Sequence, residues 1–427
     1  MTAMPTQPKF KERTLLLTLA AVQFVNVLDF MVMMPLGARI MSAFQISPQQ
    51  FSWLVAAYGT AAALSGVAGG FMIDRFDRKN ALLVVFVGFI AATLSCALAP
   101  SYSALLIARL AAGAFGGIAG SLVTAMVGDV IPRERIGQAM ATVMSAFPLA
   151  SVAGIPLSLY IASFFDWHAP FFLLTGGSVI VFVIAAKTLP HVASVRAQQS
   201  AWAQMRAIIV HPVHQRGFWL GGVLIMAGAC LIPFMAPSLV ANAGVTETQL
   251  PLIYLVGGSC TFLTMPLLGR LSDRFDKLQV LIVVTVPASI ATVIVTNLDT
   301  VPLSTALVVS AFFFVGMSSR FPPAMAMITN SVESRYRGGF MSLISAVQQA
   351  AAGFGNIVAG LLVTADASGK LLGYHRAGYV SLLAFGLTVW LAYRLRAIAP
   401  EASKIPTHDH VACATPPSAG PAASSID

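Results

Sequence analysis

Two ionisable residues stand where water is scarce: Asp29 in the first long apolar run of the chain and Arg109 in the fourth. An arginine surrounded by lipid costs about 3 kcal/mol or more, so Arg109 must face the protein interior and have a partner. Asp29 is the candidate. At 1.5 Å per residue, Asp29 lies about 21 Å above the inner edge of its run and Arg109 about 22 Å above the same edge, so their depths agree. A buried carboxylate facing a cation can exchange its proton as the cation is drawn away, because desolvation favours the neutral acid and the nearby positive charge favours the anion. The same pair can equally be a static tie that fixes helix packing. Asn26, Asp29 and Met33 share one helix face by their spacing, and that face is expected to line a cavity.

Charge is also concentrated in two short loops. GGFMIDRFDRK at 69–79 supplies Gly70, Asp74, Arg75, Arg78 and Lys79, and LGRLSDRFDK at 268–277 supplies Gly269, Asp273 and Arg274. A carboxylate there can sit against a helix N-terminus while the cations bind carboxylates or lipid phosphate, which makes an electrostatic latch that relative motion would break. Asp74 and Asp273 are 199 residues apart, and Arg133, Arg135 and Gly137 match Arg335, Arg337 and Gly339 at a spacing of 202. Near-equal offsets imply a duplication.

The elements that carry these residues follow from composition. Of 427 residues, 57% are apolar and 10% charged, more apolar surface than a protein in water can hide. Twelve apolar runs occur, near 15–38, 51–72, 81–99, 104–127, 139–163, 170–188, 217–239, 250–269, 278–298, 303–328, 339–364 and 377–395. Lipid offers the backbone no hydrogen-bond partners, so runs of this length are helices and not barrel strands. The first is read as a span rather than a cleaved signal peptide, since it is too long and holds Asp29. With both termini in the cytoplasm, 20 of the 25 Lys and Arg fall on the inner side, three (Arg39, Lys370, Arg376) outside and two (Arg109, Arg320) within spans. That bias accounts for the net charge of +9 with no nucleic-acid partner.

The expected organisation is a six-helix bundle over 1–188, a cytoplasmic linker over 189–216, a second six-helix bundle over 217–396 and a disordered cytoplasmic tail over 397–427. Six spans per half keep both halves in one orientation, related by an axis along the membrane normal. Within the linker, Trp202, Met205 and Ile209 at helical spacing beside Arg206 fit either a short interfacial helix or a mobile connection. Cys96, Cys230, Cys260 and Cys413 show neither disulfide nor metal spacing.

Breaks and polar groups inside spans point to a solute site. Pro148, Gly154 and Pro156 predict a bend in the fifth span. In the second half Arg320, beside Pro322 and Pro323, joins Gln348, Gln349 and Asn356. Counting from residue 303 puts Arg320 about 4 Å from the inner edge, and counting back from Ser331 gives about 16 Å, so it either snorkels or lines the cavity. Phe147, Phe234 and Tyr254 are candidate aromatic surface for an amphipathic pocket.

These motifs carry a resemblance. GxxxDRxDRK after the second span resembles the GxxxDRxGRK signature of the major facilitator superfamily, with Asp77, and Asp276 in the second copy, where that family has glycine. RLAAGAFGG from Arg109 is similar to the family's RxxxG motif, associated there with proton coupling. AGIPLS at 153–158 looks like a degenerate form of the exporters' GPxxGG, and DFMVMMPLG at 29–37 resembles the drug and sugar efflux branch that includes arabinose efflux permeases. FDWHAPFF at 165–172 resembles the family's WRxxF turn, with His168 replacing arginine.

The resemblance implies an all-α polytopic membrane protein of twelve helices in two pseudo-symmetric bundles. It implies a monomer in a plasma membrane, the bacterial inner membrane, with the proton gradient as energy source and no cofactor. The expected activity is proton-coupled efflux, by alternating access, of a small neutral or amphipathic solute such as a drug, sugar or metabolite. Proton-coupled uptake and a non-transporting sensor are the alternatives. No HExxH, GxSxG or GxxxxGKS motif is present to support a membrane enzyme or an ATP-driven pump.

Overall fold

The computed structural model describes residues 12–72, 76–132, 135–191, 201–333, 336–367 and 369–403. Twelve long helices dominate it. The first half contains α1 (Glu12–Val32), α2 (Pro48–Met72), α3 (Arg78–Ala97), α4 (Tyr102–Val130), α5 (Ile136–Phe164) and α6 (Ala169–Thr188). The second contains α7 (Pro212–Ala241), α8 (Leu250–Arg274), α9 (Lys277–Thr296), α10 (Leu303–Asn330), α11 (Arg337–Leu362) and α12 (Tyr374–Ile398). Among the described residues, eleven of these are long and apolar enough to cross a membrane. The exception, α11, has 26 residues, but Arg337, Gln348, Gln349, Asn356 and five glycines dilute its hydropathy.

The first span ends earlier than its apolar run. Helix α1 stops at Val32, tight turns follow with Met34 N–H donating to Met31 O and Gly37 N–H to Met34 O, and a short helix resumes over Gly37–Phe44. Pro35 has no N–H to continue the ladder. Gly37 is required here, since a Cβ would lie 2.7 Å from the Phe51 ring and 2.9 Å from Pro237 of the other half.

The start of α1 and the end of α12 lie on one face of the bundle, as an even number of spans demands. Near that face each half has its own core: Leu15, Leu19, Phe86, Phe89 and Met126 in the first, and Leu220, Leu281, Met327, Phe340 and Leu395 in the second. At the opposite face one core spans both halves and includes Val32, Phe51, Phe234, Leu239 and Phe313. The halves are therefore sealed together at the face away from the termini and separately packed near it.

Two seams of small residues permit close helix approach. Along α2 and α11, Gly360 faces Ser52, Gly353 faces Ala56 and Thr60, and Gly59 faces the Gln349 carbonyl. Along α2 and α4, Gly113 faces the Tyr58 backbone and Gly117 faces Ala62 and Ser65.

One connection takes one of its two expected forms, and another departs from expectation. The linker contains a helix over Ala201–Val210, and its Ile208 is buried in the second-half core, so this segment packs on protein rather than lying free. The chain after α12 does not fray at 397. A 3₁₀ turn over Pro400–Ala402 follows, Ser403 is buried, and its carbonyl accepts from Lys277 N–H at 3.2 Å. A small antiparallel hairpin, β1 (Thr364–Ala365) with β2 (Leu371–Leu372), joins α11 to α12.

Gly113→Leu is expected to destabilise by more than the ~1–3 kcal/mol usual for overpacking, because the obstacle is backbone. Gly176→Ala, at a position with nothing within 4 Å, should be neutral or stabilising by up to about 1 kcal/mol. Thermal unfolding of the detergent-purified protein tests both; equal midpoints would remove the close-packing account of the α2–α4 seam.

Candidate functional site

Asp29 and Arg109 are both fully buried, and Arg109 Nη1 donates to Asp29 Oδ2 at 2.9 Å and to the Asp29 carbonyl at 3.1 Å. Thr93 Oγ1 donates to Asp29 Oδ1 at 3.4 Å from α3. The guanidinium lies 4.6 Å from the centre of the Tyr58 ring on α2, so a cation–π contact covers one face of the charge. Nε and Nη2 of Arg109 have no partner among the described residues. Asn26, one turn before Asp29, donates to Gly116 O at 2.9 Å and accepts from the Tyr58 hydroxyl. The glycines after Arg109 make room for this arrangement: a Cβ at Gly116 would lie 2.6 Å from Asn26 Oδ1.

A cavity of about 130 Å³ lies between the halves. Its walls are Met31, Met34 and Pro35 of the α1 end, Ser151 and Ile155 of α5, Ile232 of α7, Tyr254, Gly258 and Thr261 of α8, and Phe313, Phe314, Met317 and Ser318 of α10. The lining is mainly apolar, with small hydroxyls that Ser151 and Thr261 turn back onto their own helices. The Tyr254 hydroxyl is buried without a partner among the described residues, and its ring tilts against Phe314 at 5.3 Å. Pro35 is shared with a smaller pocket that is also walled by Arg39 and Glu247. There Arg39 Nε meets Glu247 Oε2 at 2.6 Å across the two halves, and Arg39 also donates to Ala162 O. This ion pair caps the cavity at the face opposite the termini.

The face of α1 expected to line the cavity does not. Asn26, Asp29 and Met33 pack inward on the first bundle, with Met33 wholly buried, because the ion pair and the amide find their partners on α2, α3 and α4. Met31 and Met34, on the other side of α1, line the cavity instead. Tyr254 is a wall residue. Phe234 is not: it is buried against Phe51 of the first half at 6.1 Å, inside the sealed core. Phe147 is 46% exposed and lies one turn before Ser151 on the same helix face, outside the enclosed volume.

Arg320 fits neither sequence expectation. Helix α10 breaks there into Leu303–Ser319 and Phe321–Asn330, since Pro322 and Pro323 cannot donate, and depth counting along one straight helix fails. The side chain is 2% exposed and stacks on Phe385 of α12 at 3.7 Å, behind the cavity wall. Gln348 Nε2 contacts Met325 Sδ at 3.4 Å within the second bundle, and the Gln349 backbone lies on the α2 seam. Asn356 is fully buried, with both amide atoms unpartnered among the described residues.

In α5, Pro148 sits in a single turn over Ala146–Leu149, a π-turn covers Ala150–Gly154, and Pro156 opens the segment Ile155–Phe164. Missing proline donors displace the normal ladder. A Cβ at Gly154 would lie 2.7 Å from Leu28 of α1, and one at Gly258 would lie 2.8 Å from the Ser151 carbonyl, so the bend brings α5 against both α1 and α8.

Of the first charged loop, Asp74 and Arg75 lie outside the described residues, and Gly70 belongs to the end of α2. Arg78 pairs with Asp129 of α4 at 2.9 Å, within its own half, while Lys79 is partly buried. In the second copy Asp273 and Arg274 are exposed and have no partner among the described residues, Gly269 has open space beside it, and Asp276 pairs with Arg396 of α12 at 3.3 Å. The residues that depart from the signature have a clear task. Asp77 caps α3 by accepting from Asn80 N–H, and Asp276 caps α9 by accepting from Leu278 and Gln279 N–H, both with ordinary negative φ.

Sequence reasoning missed Tyr58 and Thr93 at the ion pair and Met31, Met34, Phe313 and Met317 at the cavity. Tyr58 carried a usable signal, a polar aromatic inside an apolar run; methionines and phenylalanines occur in most spans and carried none.

Removing one partner of the buried pair is expected to cost about 3–5 kcal/mol, so Asp29→Ala should lower the unfolding midpoint sharply. Asp29→Leu combined with Arg109→Met should recover much of that loss, because apolar replacement of a whole buried pair is often neutral. A double variant no more stable than Asp29→Ala would mean that the uncompensated arginine is not the cause.

The Major Facilitator Superfamily profile matches residues 19–230 and 217–417. An uncharacterized MFS-type transporter of Bacillus subtilis, YceJ, is 31% identical over 170 residues, 40% of this chain and 43% of that protein. A probable sugar efflux transporter of Helicobacter pylori is 24% identical over 277 residues, 64% of this chain and 70% of the relative. Among solved structures, a D-xylose-proton symporter superposes with a TM-score of 0.73 at 16% identity, covering 91% of this chain and 98% of that one. A bacterial homologue of the human lysosomal transporter Spinster, inward-facing and unoccupied, gives 0.70 at 16% identity over 92% and 98%. With both six-helix halves inside the match, this chain belongs to the Major Facilitator Superfamily and is an integral membrane transporter protein.

Proposed function

We propose that this chain is a proton-coupled exporter of a small neutral or amphipathic solute, acting as a monomer by alternating access in a bacterial inner membrane. The observation that carries the coupling is the buried Asp29–Arg109 pair, sequestered from the cavity in a state where, among the described residues, one apolar core joins the halves at one face. The skew of Lys and Arg supports placing the termini in the cytoplasm, which makes this arrangement inward-facing. When the halves rock to open the other face, Arg39 and Glu247 part and the packing of α1 on α4 changes. Protonation of Asp29 then releases Arg109, and loss of the proton to the cytoplasm restores the ion pair.

Export as the direction is supported by the bent α5 with its GxP motif and by the efflux names of relatives. The apolar cavity supports an amphipathic rather than a strongly hydrophilic cargo.

In proteoliposomes, Asp29→Asn should retain solute exchange between equal pools while losing gradient-driven accumulation by about tenfold or more, an effect of about 1.4 kcal/mol. Undiminished gradient-driven transport would end the coupling assignment. Everted and right-side-out vesicles under the same imposed gradient report direction, and accumulation only in right-side-out vesicles would make the protein an uptake symporter.

Glu247→Arg places two cations together at the outer seal and should slow turnover by destabilising the inward-facing state. The swap Arg39→Glu with Glu247→Arg should recover part of the rate. Failure of the swap to recover any would mean that the ion pair contributes little to the gate.

A further inference from the structure

The two halves deal with their buried arginines differently. Arg109 has Asp29. Arg320 has no acid: the second half, 217–396, holds Glu247, Asp273, Asp276, Asp299, Glu333 and Asp366, and every one lies at a helix end or in a connection. A guanidinium keeps its charge under all ordinary conditions, and an isolated charge in an apolar interior is costly unless a counter-charge reaches it. Among the described residues no acid pairs with Arg320.

What surrounds Arg320 leaves its hydrogen-bonding edge available. One face rests on the Phe385 ring at 3.7 Å, which uses the π-surface and no N–H. Among the described residues its one acceptor is the Met317 thioether, 3.4 Å from Nη2, a weak partner for a cation. Nε and Nη1 have no partner among the described residues. Met317 and Ser318 are themselves walls of the central cavity. A methionine is a flexible screen. Turning it aside joins the guanidinium to the cavity and replaces a sulfur acceptor with whatever anion enters.

We propose that Arg320 is an anion-binding site at the edge of the cavity, taking the carboxylate of a small amphipathic acid whose apolar body lies among Met31, Phe313 and Phe314. Planar carboxylate matches the guanidinium fork, which explains an arginine where a lysine would carry the same charge. Identifying the acid as the transported solute rests on the transport reading; anion binding at Arg320 does not. Free chloride is the other source of the same negative charge.

The test uses the purified full-length protein in chloride-free gluconate buffer, with no gradient, titrated with sodium benzoate, benzamide or sodium chloride. Affinity is read by calorimetry and by the rise in unfolding midpoint. Benzoate is expected to bind about tenfold or more tighter than its neutral isostere benzamide, a difference of about one decade in Kd. Arg320→Gln should abolish that preference. Arg320→Lys, which keeps the charge and guards against misfolding of the neutral variant, should keep the preference with weaker benzoate binding. Saturation by chloride with no advantage for benzoate would retain the anion site and overturn the carboxylate solute. Equal affinity for benzoate and benzamide without any chloride effect, or unchanged benzoate affinity in both variants, would overturn the proposal. Because no proton gradient is present, loss of proton-driven transport in Asp29→Asn neither supports nor harms it.

Discussion

A charge inside a lipid-embedded bundle must be matched by another, and the Asp29–Arg109 contact at 2.9 Å is where this chain satisfies that requirement in its first half. Much of the local architecture serves it. The Gly113–Gly117 stretch lets α4 approach α2 and α1, Tyr58 shields the guanidinium, and Asn26 ties α1 to both neighbours. The pair faces away from the cavity, so in the proposed coupling solute and proton meet different surfaces of the same helix. Met31 and Met34 serve one, and Asp29 the other. On that proposal, communication between them passes through the position of α1 itself.

The distribution of apolar cores gives the conformational side of the same argument. One core joins the halves at the sealed face, and two independent cores hold them nearer the termini. Each half would therefore keep its own packing if the seal were exchanged from one face to the other, as the proposed alternating access requires. The Arg39–Glu247 contact lies at the rim of the seal, where separation exposes both charges to water and costs little desolvation.

The fold was legible because its causes are local and repeated: apolar runs of membrane length, a duplicated charged loop and a skewed distribution of cations. The Asp29–Arg109 pair was legible for the opposite reason, since isolated charges in apolar spans have few possible partners. Helix phase was not. Asn26 and Met33 were placed with Asp29 on a cavity face, yet that face turns inward, because the partner of a buried charge decides which way a helix rotates. Arg320 was misplaced because two prolines divide α10 and depth counting assumes one straight rod. The duplicated loop suggested two latches between moving parts, but ion-pair chemistry depends on a counter-charge being within reach, and Arg78 finds Asp129 while Asp276 finds Arg396, each within its own half.

The seam between α2 and α11 has a mechanical consequence. Its facing residues are Ser52, Ala56, Gly59 and Thr60 on one side and Gly353 and Gly360 on the other. Where these small residues face one another, no long side chain has to disengage and find a new socket as one helix tilts over the other. The seam behaves there as a smooth bearing: close enough for strong dispersion contact at every angle, and shallow enough that rotation meets little friction from rotamer exchange.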